Sequence, residues 1–349
     1  MADKIVISID AMGGDKAPEI VIEGIKLALQ KHHDVFFLLF GDEKRLAPLC
    51  RLAKLDETCY RIYHTEQVVK GDEKPSHAVR YGRESSMWKA IYAVRRGEAS
   101  AVVSAGNTGA LMAMSKIILG TIAGVDRPAI AAVMPTAVPG QDVLMLDLGA
   151  NAECNANNLV EFAIMGTVFY QLLYKKQNPT VGLLNIGSEE TKGREEIREA
   201  AMILRNNKDK IDYMGFVEGC DINVGKANVV VSDGFSGNVA LKSIEGTVHL
   251  MKSMVKQGLK RAFISRLGLL VALPLFVRIK KRMDPRRYNG AMFLGLNGVS
   301  VKSHGGSDAV GYSYAISTAI DLSRHHLCEK IKACMEEVIF SPEEMTVEE

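Results

Sequence analysis

Two stretches of this 349-residue chain repeat one pattern: VVSAGNTG, Val102 to Gly109, and VVSDGFSG, Val230 to Gly237. Each is an apolar run that ends in a serine, followed by two glycines around a hydroxyl residue. Glycine lets a backbone come close to a ligand, and a turn that opens into a helix presents free N–H groups at the positive end of the helix dipole. That chemistry is anion binding. Three more apolar runs end in comparable turns: Asp10-Ala-Met-Gly-Gly-Asp15, Asp147-Leu-Gly-Ala-Asn151 and Asn185-Ile-Gly-Ser188. A single turn of this kind is ordinary loop chemistry, because strand-to-helix loops use Gly, Ser and Asn routinely. Five together read as a cradle, with the two repeated turns expected as two walls of one site. Its expected lining is Gly13, Gly14, Ser104, Gly106, Asn107, Thr108, Gly109, Asn151, Gly187, Ser232, Gly234, Ser236 and Gly237. Asp10, Asp147 and Asp233 stand at the same run ends, where their charge would repel an anion, so they are expected to organise the loops from behind.

The familiar phosphate signatures are missing. There is no GxxxxGK[ST], and no two glycines are separated by one residue, which removes both the P-loop and the GxGxxG dinucleotide fingerprint. No GxSxG elbow is present either, so an esterase of the α/β-hydrolase kind is disfavoured. The six cysteines form no CxxC pair, and neither they nor the eight histidines show zinc-ligand spacing. No metal and no cofactor are implied.

The elements that must position these turns are legible as apolar, β-branched runs: KIVISID, DVFFLLFG, ASAVVSAG, AIAAVMPT, DVLMLDLG, TVGLLNIG, YMGFVEG and ANVVVSDG. Most are continuous, as in strands covered on both faces. Between them, stretches such as APEIVIEGIKLALQKHH and SSMWKAIYAVRRGE return apolar residues every three or four positions. Alternating strands and helices predict an α/β fold, a mostly parallel sheet with helices on both faces, whose ligands bind beyond the carboxyl ends of the strands. No linker divides the chain. The expected organisation is one domain over 1–340, with an amphipathic helical excursion over 246–288 and an acidic tail at 341–349. With 47% hydrophobic residues the chain can bury a large core. The start, MADKIVISIDAMGG, has no export-signal pattern, and scattered cysteines suit a reduced cytoplasm.

Longer motifs carry more. DAMGGDKAPE, SSMWKA, VSAGNTGALMA, DRPAIAAVMPT, DLGAN, GLLNIGSEETKG, SDGFSGNVALKSIEG and FLGLNGVSVKSHGGSDA, in this order, resemble the bacterial phosphate acyltransferase family of phospholipid synthesis. The resemblance runs from about Ile5 to about Ile320. It implies a Rossmann-like fold similar to that of isocitrate and isopropylmalate dehydrogenases. It also implies transfer of a long fatty acyl group from acyl carrier protein to inorganic phosphate, giving an acyl phosphate that a membrane glycerol-3-phosphate acyltransferase then uses. The turns suit that reaction. Phosphate, like a phosphomonoester with its second pKa of about 6, is largely dianionic near neutral pH and is already a nucleophile. Such an enzyme needs no Ser–His–Asp triad; it must position phosphate against a thioester carbonyl and stabilise the oxyanion that forms.

With this family in view, Lys192 in GSEETKG is the expected cation for phosphate or oxyanion, the alternative being a surface lysine in a charged loop. Asn238, at an expected helix start after the second turn, donates to phosphate or carbonyl in one reading and caps the helix in the other. His304 in KSHGGSD is a base, a phosphate donor or a brace for its turn. Two competing functions remain open at this point: a coenzyme-A-dependent short-chain phosphate acyltransferase, and a catalytically silent membrane scaffold.

The net charge of +2 conceals an uneven distribution. From Met251 to Tyr288 the sequence has eleven Lys or Arg against the single acid Asp284. A helix expected from Thr247 to Arg266 sets Val248, Met251, Val255, Leu259 and Phe263 on one face, and LGLLVALPLFV follows. Pro274 interrupts that run, and it falls short of the roughly 20 apolar residues a membrane span needs. Leu267, Leu269, Leu270, Leu273 and Phe276 are expected to dip into an anionic leaflet, the alternative being burial in the protein or in a dimer contact. The resemblance adds a homodimer built with helices of this region, and a positive patch would also steer the acidic acyl carrier protein. Nucleic acid is not an expected partner, since the stretch lacks interleaved aromatics for base stacking.

Overall fold

The computed structural model describes residues 4–261, 274, 277, 278, 282 and 284–337. Its strands are β1 (Ile5–Asp10), β2 (Val35–Gly41), β3 (Tyr60–His64), β4 (Ala101–Ser104), β5 (Ala129–Pro135), β6 (Asp142–Leu146), β7 (Val181–Leu184), β8 (Tyr213–Val217), β9 (Val229–Val231), β10 (Ala291–Leu294) and β11 (Val299–Lys302). Successive side chains of the apolar runs enter two different cores. Ile7, Ile9, Phe37, Leu39, Leu144 and Leu146 point into one; Leu38, Phe40, Val143 and Met145 point into the other. A strand that is apolar on both faces must be covered on both.

The helices that cover them are α1 (Glu19–Leu29), α2 (Glu43–Ala53), α3 (Pro75–Tyr81), α4 (Ser86–Arg95), α5 (Thr108–Leu119), α6 (Ala156–Tyr174), α7 (Glu195–Asn206), α8 (Gly234–Arg261), α9 (Ala309–Arg324) and α10 (Leu327–Glu337). The first core is closed by α1, α2, α6, α7, α9 and α10. The second is closed by α3, α4, α5 and the early turns of α8, where Ala240, Leu241 and Ile244 pack.

All the described strands join one sheet, in the order β3, β2, β1, β4, β11, β10, β5, β6, β9, β7, β8. The sheet is mostly parallel, as expected, and reverses at three neighbouring ladders, β11 with β10, β10 with β5, and β5 with β6. All three reversals lie between β4 and β9, so these strands run in opposite senses. The two repeated turns therefore leave opposite edges of the sheet. The expectation of two walls of one site does not hold within the chain.

The helix expected from Thr247 begins much earlier, at Gly234. Asn238 consequently lies inside α8 rather than at its start. Beyond the packed early turns, Leu250, Met251, Met254 and Val255 are exposed. The expected membrane residues Leu267, Leu269, Leu270, Leu273 and Phe276, and the acidic tail, lie outside the described residues. Among the described residues no helix is long and apolar enough to cross a membrane.

Candidate active site

Three adjacent parallel strands, β6, β9 and β7, end side by side, with Leu146 and Leu183 both paired to Val231. The chain continues from them into Asp147, Ser232-Asp233 and Asn185. Asp147 is fully buried. Its Oδ1 accepts from the N–H groups of Ile130 (3.1 Å), Gly149 (3.2 Å) and Ala150 (2.9 Å), and its Oδ2 from Asn151 N (2.7 Å) and Nδ2 (2.8 Å). Burial raises its pKa, and these donors pull it back. The carboxylate thus folds the DLGAN turn.

That turn stacks on the start of α8. Gly234 N donates to Asn151 O at 2.7 Å, and Ser232 Oγ donates to the carbonyls of Leu146 (3.0 Å) and Asp147 (3.2 Å). Asp233 caps the helix: Oδ1 accepts from Ser236 N at 2.8 Å and Oδ2 from Ser236 Oγ at 2.9 Å. The cap is therefore Asp233 and not Asn238. Released from capping, the Asn238 side chain is exposed beside Gly149, where a Cβ would meet its Cγ at 3.7 Å. Its amide has no hydrogen-bond partner among the described residues.

The neighbouring loop, after β7, carries Gly187 and Lys192. Asn185 Nδ2 donates to Lys192 O at 3.0 Å, and Lys192 N donates to Glu189 O at 3.0 Å. The loop turns at Gly193, whose φ of +90° suits glycine. Lys192 is exposed, and its ammonium has no described partner. Two residues on, Arg194 reaches across to the buried Asp233 carboxylate and so ties the Lys192 loop to α8. Sequence reasoning missed Arg194. Its only local signal is a second cation placed just before a helical run. Arg194→Ala leaves a carboxylate only 2% exposed without its cation, so a stability loss of about 1–2 kcal/mol is expected by urea unfolding, with partial recovery in Arg194→Lys.

The structure brings together Asp147, Asn151, Gly187, Lys192, Ser232, Asp233, Gly234, Ser236, Gly237 and Asn238. Buried beneath them is Cys154, whose thiol is pushed up to about 12 by burial first and by the Asp147 and Asp233 charges next. It is a neutral thiol and no nucleophile.

The remaining candidates form a second cluster beyond β1, β4 and β11. Asp10, 1% exposed, accepts from Ser86 Oγ and Ser104 Oγ, both at 2.6 Å, while Ser104 Oγ accepts from Gly106 N at 3.0 Å. A Cβ on Gly13 would meet Gly106 N at 2.7 Å, and one on Gly14 would meet Ala105 Cβ at 3.0 Å. Asn107 caps α5, just ahead of Thr108, through Ala110 N (2.9 Å) and donates to the carbonyls of Gly71 and Glu73, both at 2.9 Å. Gly109 lies against Pro75. His304 Nδ1 accepts from Gly306 N at 3.1 Å, which braces its own turn. Lys302, 8% exposed, donates to Ala105 O and Ser303 O; burial pushes it down to about 8, against the pull of Asp10 and Asp15. These groups satisfy one another. The first turn is a structural knot held by these bonds, while Thr108 on it stays exposed with no described side-chain partner, as the Lys192 and Asn238 ends do at the second.

Glu161 on α6 holds the loop that precedes β5, its Oε2 accepting from Asp126 N at 3.1 Å. Burial pushes its carboxyl up to about 7 from 4.5. Across that window the native state holds a proton that the unfolded chain has released, so stability falls as pH rises from 4.5 to about 7. Glu161→Gln keeps the acceptor and removes the charge. Urea unfolding is expected to find it about 1–2 kcal/mol more stable than wild type at pH 8, after allowance for solvent screening, and equal below pH 4.5.

Residues 5–330 match the family model described as fatty acid synthesis protein. A phosphate acyltransferase of Rhodospirillum rubrum is 52% identical over 347 residues, 99% of each chain. One of Paramagnetospirillum magneticum is 50% identical over 333 residues, 95% of this chain and 94% of that one. A phosphotransacetylase structure from Streptococcus pyogenes, 17% identical, superposes with a TM-score of 0.60 over 93% of this chain and 95% of that one, which shows a shared fold. At half identity over nearly the whole of both chains, the protein belongs to the phosphate acyltransferase family and is an acyltransferase.

Proposed function

We propose that this acyltransferase moves a long-chain fatty acyl group from acyl carrier protein to inorganic phosphate. A phosphate oxygen attacks the thioester carbonyl, a C–O bond to phosphate forms, the C–S bond breaks, and the carrier thiolate leaves to take a proton from water. The observation that carries this reading is the pair of free polar ends that follow adjacent strands, the Lys192 ammonium on the loop after β7 and the Asn238 amide in the early turns of α8 after β9. One neutralises phosphate or the developing oxyanion; the other donates to it. Such donors act where charge develops and need no activated serine. The acyl phosphate passes to a membrane glycerol-3-phosphate acyltransferase. A homodimer that works on the inner face of the cell membrane completes the proposal, with the basic segment around α8 meeting the acidic carrier and the anionic leaflet.

Incubating the purified full chain with acyl carrier protein thioesters or coenzyme A thioesters, with and without phosphate, tests the reading by free-thiol release. Phosphate-dependent release from the carrier thioester is expected. Release from neither donor would sink it, and release from short coenzyme A thioesters alone would redirect it.

A further inference from the structure

We propose that the acyl chain of the substrate lies on an exposed apolar shelf made by Ile186, Phe235 and Val239. This rests on the reading of the site given above. Ile186 is 80% exposed, Phe235 68% and Val239 52%. Single exposed hydrophobic residues are common and need no explanation. These three differ in where they stand. Ile186 directly precedes Gly187 on the loop that carries Lys192. Phe235 and Val239 are four residues apart on α8, hence on one helix face, and Val239 follows Asn238 directly. The pairing of Leu183 with Val231 sets Asn185 beside Asp233, so Ile186 and Phe235 leave the sheet on neighbouring strands.

An apolar lip therefore borders the two polar groups that face the reacting carbonyl. Phe235 and Val239 stand about 6 Å apart along the helix axis at 1.5 Å per residue, and Ile186 carries the apolar surface across to the neighbouring loop, before Lys242 and Ser243 make the helix face polar again. A hydrocarbon chain fits across that surface. Each methylene fully removed from water gains about four-fold in affinity, and an open shelf that covers one side of the chain gains about two-fold. The shelf thus favours long chains yet lets an acyl phosphate leave. A second copy of this chain is the competing occupant.

Calorimetric binding of dodecylphosphonate and butylphosphonate, stable mimics of a long and a short acyl phosphate, tests the shelf without turnover. Wild type is expected to prefer the dodecyl compound. Phe235→Ser, Val239→Ser and Ile186→Ser each change an exposed residue, and each is expected to weaken dodecylphosphonate by about ten-fold more than butylphosphonate, at unchanged mass in solution. Equal weakening of both compounds, or of neither, overturns the proposal. So does a loss of binding that tracks a change in oligomeric mass, which would assign the face to a second copy. Failure of phosphate-dependent thiol release would count against the proposed reaction and would be seen in a separate measurement.

Discussion

Lys192→Ala is expected to lower kcat/KM for phosphate-dependent thioester cleavage by about 10²–10³-fold, the range seen when one preorganised donor to a developing oxyanion is removed. The side chain is exposed and holds no described partner, so its loss should leave the unfolding midpoint where it was. Lys192→Arg keeps the charge and is expected to recover part of the rate. The split between constants says what the ammonium touches. A rise in KM for phosphate with kcat kept means ground-state binding of phosphate; an equal fall in kcat and kcat/KM means an interaction made only in the transition state. Asn238→Ala is expected to act in the same direction. If both act on one oxyanion, the double variant will cost less than the product of the two. Full activity in a folded Lys192→Ala protein would remove this residue from the chemistry.

Gly237→Ala is expected to be the most damaging single methyl group in the site. Its Cβ would fall inside the Asp147 carbonyl oxygen, a backbone atom held by the buried turn, and it would also press on Ser232 Oγ. The carbonyl cannot swing away as a side-chain tip would, and Ser232 Oγ is held by its bonds to the Leu146 and Asp147 carbonyls. A loss of about 4 kcal/mol or more, or an insoluble protein, is expected. Gly109→Ala, at the matching position of the first turn, would meet Pro75 Cγ at 2.7 Å, a ring atom near the surface of α3 that can shift. It is expected to cost about 1–2 kcal/mol. Urea unfolding of the two variants in parallel measures the contrast, and equal stabilities would refute it.

The strands that the sequence declared were those with unbroken apolar runs, such as DVFFLLFG and DVLMLDLG, because burial on both faces writes itself into every position. β3, β10 and β11 escaped notice. Tyr60–His64 is half polar at the edge of the sheet, and the four-residue strands Ala291–Leu294 and Val299–Lys302 pair with each other and are received on their outer sides by partners far away in the chain, β5 and β4. Strand sense left no local mark, so the three reversals that separate the two turns could not be read. The carboxylates at strand ends were legible as loop organisers by type and place. Arg194 was not, because its partner lies 39 residues away, and a buried Lys302 looks like any other lysine until the strand around it is known.

The placement of β11 also sets an order for biosynthesis. β4 pairs with β1 on one side, and its other side is filled by β11, whose first residue follows the last of β4 by about 195 residues. On a ribosome adding about 5–20 residues per second, β4 spends roughly 10–40 s as an unpaired edge before its neighbour emerges. A nascent chain in that interval shows a short, apolar, open strand to its surroundings. The knot around Asp10, Ser104 and Lys302 is closed by the same late arrival, so a polysome carrying this message holds chains that need shielding until the codons for β11 have been read.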